Sequence, residues 1–244
     1  MHVHRVTVVR MRINDLYSFC RAGLLTLGLM AVLSVASAQP SVRDAEIAQC
    51  LPGEVSTWGD STDRPAASTP MVFVYSHAAA PAWFDEPVVM AALQRAAEKW
   101  SQCGVTARVV LRSPESDALQ GRVVVRWSDA DSAGNFGLTH FGKRTLTLGP
   151  AAFGLLNRVN PAYDARETLQ MVISHEMGHL FGLMSHSRRC VDVTSNYDNG
   201  KGEKCYARDM NQLRRYTEYR ATLPTACDIQ RCRVVNGQPL MVSQ

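Results

Sequence analysis

The residues of this chain with types and spacing suited to chemistry lie in "HEMGHLFGLMSH" (175–186). Positions four apart in a helix share one face, one turn apart, so the imidazoles of His175 and His179 can grip a single cation. Glu176, beside the first imidazole, can hold a water at that cation and take its proton. Zinc fits this use, because it lowers the pKa of a bound water to about 7. The five-residue pattern also arises in ordinary helices, so its setting decides. Gly182 falls where a helix must stop if the chain is to swing back to the metal, and glycine permits the left-handed conformation of such a stop.

The elements that must carry these residues follow from periodicity. "MVFVYS" (71–76) is a strand. A helix begins with Asp85 as cap and Pro87 in the first turn and ends at Gly104; Val89, Leu93, Ala96, Ala97 and Trp100 form its core face. "VTARVVL" (105–111) and "GRVVVRW" (121–127) are strands, and "NFGLTHF" (135–141) and "RTLTLG" (144–149) are a pair joined around Gly142 and Lys143. From Pro161 the pattern turns helical, with Leu169, Val172, Ile173, Leu180 and Phe181 recurring in threes and fours up to Gly182. The tail holds an amphipathic segment, "ARDMNQLRRYTEY" (207–219), and the basic residues of "RRYTEYR" (214–220) read as a solvated helix face. The order of elements gives an α/β or α+β layer arrangement in one unit over 71–244, with a cysteine-stapled C-terminal part. Residues 39–70, rich in Ser, Thr, Pro, Ala and Asp, read as an irregular N-terminal segment, part of it a short pro-region.

Residues 1–38 have the form of a secretory leader: a basic start, the apolar run "LLTLGLMAVLSV" (24–35) and small residues in "ASA" (36–38). The run falls short of the roughly 20 apolar residues that span a bilayer, so no stable membrane insertion is expected after cleavage. Cleavage removes four arginines and Asp15, leaving 22 basic and 21 acidic residues, a balance that argues against a nucleic-acid surface. Six cysteines remain, an even number that in an exported chain favours disulfides. Proximity in sequence suggests Cys190–Cys205 and Cys227–Cys232, which leaves Cys50–Cys103.

"HEMGHLFGL" (175–183) resembles the metzincin metalloproteases, whose motif is HExxHxxGxx followed by His or Asp. A strand, a long helix ending in Trp100, further strands and "GLTHF" (137–141) are similar to the upper half of a matrixin catalytic domain. The secreted snapalysins are similar in having a disulfide loop soon after the third ligand, where Cys190 and Cys205 lie. The resemblance spans about residues 70–220 and is strongest over 169–183. It implies an α+β, metzincin-like zincin fold: a twisted mixed sheet with an antiparallel edge strand packed on two long helices, plus a small cysteine-rich C-terminal part. It further implies a secreted, monomeric Zn²⁺ endopeptidase acting on protein or peptide, with Glu176 as general base. Gly137, Leu138, Thr139 and His140 would lie on the strand that pairs with an extended substrate.

The chain departs from the motif at two places. Ser185 stands where the family has His or Asp, and a serine hydroxyl is not a usual zinc ligand. His186, one residue later, is the expected third ligand, with Asp192 in reserve; a downstream Glu203 or Glu218 would serve in another zinc architecture. No methionine follows His186 until Met210, and Thr194 or Ser195 falls where the family places one beneath the metal. Tyr197 falls where some metzincin branches put a tyrosine that stabilises the oxyanion. The rival function is an exported binding module on a degenerate protease scaffold.

Overall fold

Five short strands, dominated by Val, Leu and Thr, form the frame that carries the motif, in a computed structural model that describes residues 40–239. The leader expected over 1–38 lies outside the described residues. Strands β1 (Met71–Tyr75), β2 (Ala107–Leu111), β3 (Val123–Trp127), β4 (Gly137–His140) and β5 (Thr145–Leu148) make one mixed sheet in the order β2-β1-β3-β5-β4. The first four in that order run parallel; β4 alone is antiparallel, with Gly137 opposite Leu148 and His140 opposite Thr145. β1 is an interior strand, buried at Met71, Phe73, Val74 and Tyr75, which explains why it reads as an apolar run without alternation.

Seven helices accompany the sheet among the described residues: α1 (Val42–Ala48), α2 (Glu86–Ser101), α3 (Pro114–Asp117), α4 (Asp129–Ser132), α5 (Pro150–Val159), α6 (Ala165–Leu180) and α7 (Ala226–Val235). The two 16-residue helices, α2 and α6, pack on each other. Polar groups fix their register: the Trp100 indole N–H donates to the Ser174 carbonyl at 2.9 Å, and the Gln170 amide donates to the Ala92 carbonyl at 3.0 Å. Both bonds are buried, where an unpaired partner would be costly. Leu169, Ile173, Leu180 and Phe181 are fully buried beside Trp100 in the main core.

Several sequence expectations change. Residues 39–70 are not wholly irregular, since α1 forms there behind a capping box at Ser41. Helices α5 and α7 escape the periodicity reading. "RRYTEYR" is not a helix face: only a 3₁₀ turn, Gln212–Arg215, forms, and Tyr219 is buried with its hydroxyl donating to Glu46 at 2.6 Å. Among the described residues three disulfides form, Cys190–Cys205 as expected but Cys50–Cys227 and Cys103–Cys232 in place of the other two pairs. Cys227 and Cys232 both lie on α7, and five residues of helix turn them about 140° apart, so each faces a different partner. No helix of the described residues is long and apolar enough to cross a membrane.

Candidate metal centre

α6 begins where Asp164 caps it, accepting the Arg166 N–H at 2.7 Å and the Glu167 N–H at 3.2 Å. It ends in a glycine stop: Gly182 takes φ 106°, its N–H donates to His179, and the Leu183 N–H reaches back to Gly178 at 3.0 Å. A side chain at 182 would also meet the Arg64 carbonyl oxygen at 2.0 Å, so glycine is required twice over. The stop returns the chain toward α6 and brings His186 beside His175 and His179.

The three rings stand at the corners of a near-equilateral triangle, with centroids 5.0, 5.3 and 5.2 Å apart. One nitrogen from each lies within 4.8 Å of the others. Every Nδ1 is already engaged, donating to the Val193 carbonyl (2.8 Å), the Leu183 carbonyl (2.8 Å) and the Asp60 carboxylate (2.6 Å) for His175, His179 and His186 respectively. Oxygen acceptors at Nδ1 fix the proton there and leave each Nε2 lone pair free for a cation, the arrangement that orients metal-bound histidines. Burial, with the neighbouring rings second, holds His175 well below the ordinary imidazole range; burial also lowers His186, against the opposing pull of Asp60. Neutral imidazoles are the form that binds metal. Three such donors fit a divalent cation of the zinc type, which takes imidazole nitrogen and leaves one position open.

Glu176 is 8% exposed. Burial pushes its carboxyl up, and the His179 ring and hydrogen bonds from Thr139 oppose that without cancelling it. The Thr139 hydroxyl also donates to the Glu176 carbonyl at 2.9 Å, tying β4 to α6. At Gly137 a methyl group would sit 2.7 Å from Glu176 Cγ and 2.6 Å from Val172 Cγ1. The missing side chain therefore makes room for the carboxylate. Leu138 and His140 are partly exposed on the same edge strand.

The other sequence candidates lie elsewhere. The Ser185 hydroxyl donates to Asp60 at 2.8 Å. Asp192 is buried in its own network, accepting from Ser187, Arg189 and Thr225 at 2.6–2.7 Å, with burial and nearby Asp228 pushing it up. It is not grouped with the histidines. The Tyr197 hydroxyl donates to Glu218 and accepts the Tyr219 N–H, so both it and Glu218 are engaged. Glu203 pairs with Asn199. Thr194 spans between Asp228, to which its hydroxyl donates at 2.6 Å, and α6, which its methyl touches at Gly178.

Sequence reasoning missed Asp60 and Asp63. Asp60 accepts from the His186 ring, the His186 N–H (2.9 Å) and Ser185. Burial alone would raise it, but these bonds hold it down at about 2. Asp63 accepts the Met184 and Ser185 N–H groups at 2.8 and 3.0 Å and takes both arms of Arg231. Neither has a local signal, because their partners lie more than a hundred residues away.

No family model matches the chain, and no curated protein matches it. A solved structure described as "GM1 bound form of the ECX AB5 holotoxin" is similar at 13% identity, over 68% of this chain and 79% of that one, with a TM-score of 0.42. Likeness at that level carries no argument about fold or activity.

Proposed function

We propose that the protein is a secreted zinc metalloendopeptidase with a metzincin-like fold, in which His175, His179 and His186 hold the ion. The observation that carries this reading is the triangle of imidazoles, each with Nδ1 committed to an oxygen, beside a buried carboxylate on the same helix. Three disulfides accord with an oxidising compartment. Bound zinc would lower the pKa of the attacking water and polarise the scissile carbonyl. Glu176 takes the proton from that water and later gives it to the leaving amine, a role helped by burial, which pushes its carboxyl up from the ordinary carboxylate range. β4 offers its open edge to an extended peptide, which binds backbone with little regard for sequence. A cavity of about 290 Å³ opens beside the same helix, lined in part by Thr168 and Met171, and Met171 stands one turn before His175. It would receive a substrate side chain.

The decisive experiment measures zinc content and casein cleavage for the wild type and for Glu176→Gln. Stoichiometric zinc in both, with cleavage only by the wild type, supports the reading. Zinc in the wild type with no cleavage of any protein or peptide favours a binding module, and no zinc removes the metal site altogether.

A further inference from the structure

His186 differs from the helix-borne histidines in what surrounds it. Its loop is enclosed by a segment from the other end of the chain. The Trp58 N–H donates to the His186 carbonyl (3.0 Å), Thr57 bridges Ser187, and the Arg64 N–H donates to Gly182 (3.0 Å). Asp63 collects the two loop N–H groups before His186 and is itself clamped by Arg231. Asp60 then takes three bonds, the shortest from the His186 ring.

We propose that Asp60 is the positioning residue for His186, and that residues 57–64 are a permanent part of the metal centre rather than a removable pro-segment. The inference rests on the zinc reading above. Its chemistry is specific. Ser185 stands where the motif has its ligand, and Asp60 engages both that serine and the histidine that follows. One carboxylate thus holds the displaced turn and, by accepting the Nδ1 proton, keeps Nε2 unprotonated toward the other two rings. An asparagine at 60 could turn its amide N–H toward Nδ1. That contact favours the opposite tautomer, with a proton on Nε2 where the cation should bind. The segment is anchored at its own start as well, through Cys50–Cys227 and the Arg208–Glu54 pair (2.6 Å), so it is built to stay.

The test is zinc affinity of the purified full chain, measured by competition with a chromophoric chelator, with X-ray absorption to count coordinating imidazoles. D60N is expected to bind zinc about 10–100-fold more weakly than wild type, the range for loss of an outer-shell partner. Its spectrum should show fewer than three imidazoles, and D60E should recover part of the affinity. The Ser185→Ala variant loses a bond to the same carboxylate but keeps the ring pair, so it should retain wild-type affinity. D60N binding as tightly as wild type through three imidazoles would overturn the proposal. So would equal zinc losses in D60N and S185A, which would mark a general loosening of the loop; this comparison decides the matter even if D60N unfolds more easily. A wild-type chain that binds no zinc would refute the metal reading itself, whereas tight wild-type binding with D60N unaffected refutes only the role of Asp60.

Discussion

One side of the imidazole triangle is made within a single helix and the opposite corner is made across the whole chain. His175 and His179 are four residues apart on α6, a helix whose neighbours are buried in the main core. His186 stands on a loop whose principal holders, Asp60 and Asp63, are separated from it and its neighbours by 121–126 residues. The helical side inherits its geometry from backbone hydrogen bonding and core packing. The loop side has to be assembled from long-range polar contacts. Damage to the N-terminal segment should therefore disturb one ligand and spare the other two.

The strongest way to break this comparison is to remove a ligand from each side. His179→Ala and His186→Ala should both lose zinc to dialysis, by more than the roughly 10–100-fold that an outer-shell loss costs. If His186→Ala kept the wild-type affinity, the loop would supply no ligand and the contrast would disappear. Next, Glu176→Gln should leave zinc binding intact on both sides while turnover on a peptide falls by about 10²–10⁴-fold, as loss of a general base does. Asp63→Ala sharpens the contrast through stability. It leaves the buried Arg231 guanidinium without its carboxylate, a loss of about 3 kcal/mol in urea unfolding of the metal-free protein. His179→Ala, whose ring donates only to Leu183, should cost the metal-free protein less.

The smallest effect concerns acid. His175 and His186 titrate below the ordinary imidazole value in the fold, burial being the first cause in each. At these two rings the unfolded chain therefore takes up protons first as the pH drops below about 6.5, so their contribution to metal-free stability should fall from there downward. Asp60 works in the opposite window: held at about 2, its contribution is present above the usual carboxylate range and is lost only as the pH falls toward 2. Asp192, pushed up to about 7, and Glu176, also raised by burial, act in the opposite sense over the same range, so the histidine loss is read as the difference between the wild-type and His186→Ala denaturation curves from pH 7 to pH 4.

What could be read from the sequence follows the same division. The pair at 175 and 179, the stop at Gly182 and the Trp100 face of α2 are local patterns with fixed periods, and the structure has those elements. The sheet strands were legible for the same reason, including β4 and β5 as a pair. Asp60 and Asp63 were invisible because nothing in "GDSTDRP" (59–65) hints at a partner past residue 180. The disulfide expectation failed where it relied on nearness along the chain and held only for the 15-residue loop of Cys190–Cys205. α7 was missed because most of its inward positions are Cys, Asp and Arg rather than aliphatic residues, so its apolar period is weak.

Both long covalent ties end on that same helix, one from Cys50 and one from Cys103. A growing chain can close neither until α7 has been made. Synthesis interrupted between His186 and Cys227 yields a polypeptide with α6 complete but the segment that encloses His186 lacking its disulfide tether. Full cross-linking is thereby reserved for chains that have grown past Cys232.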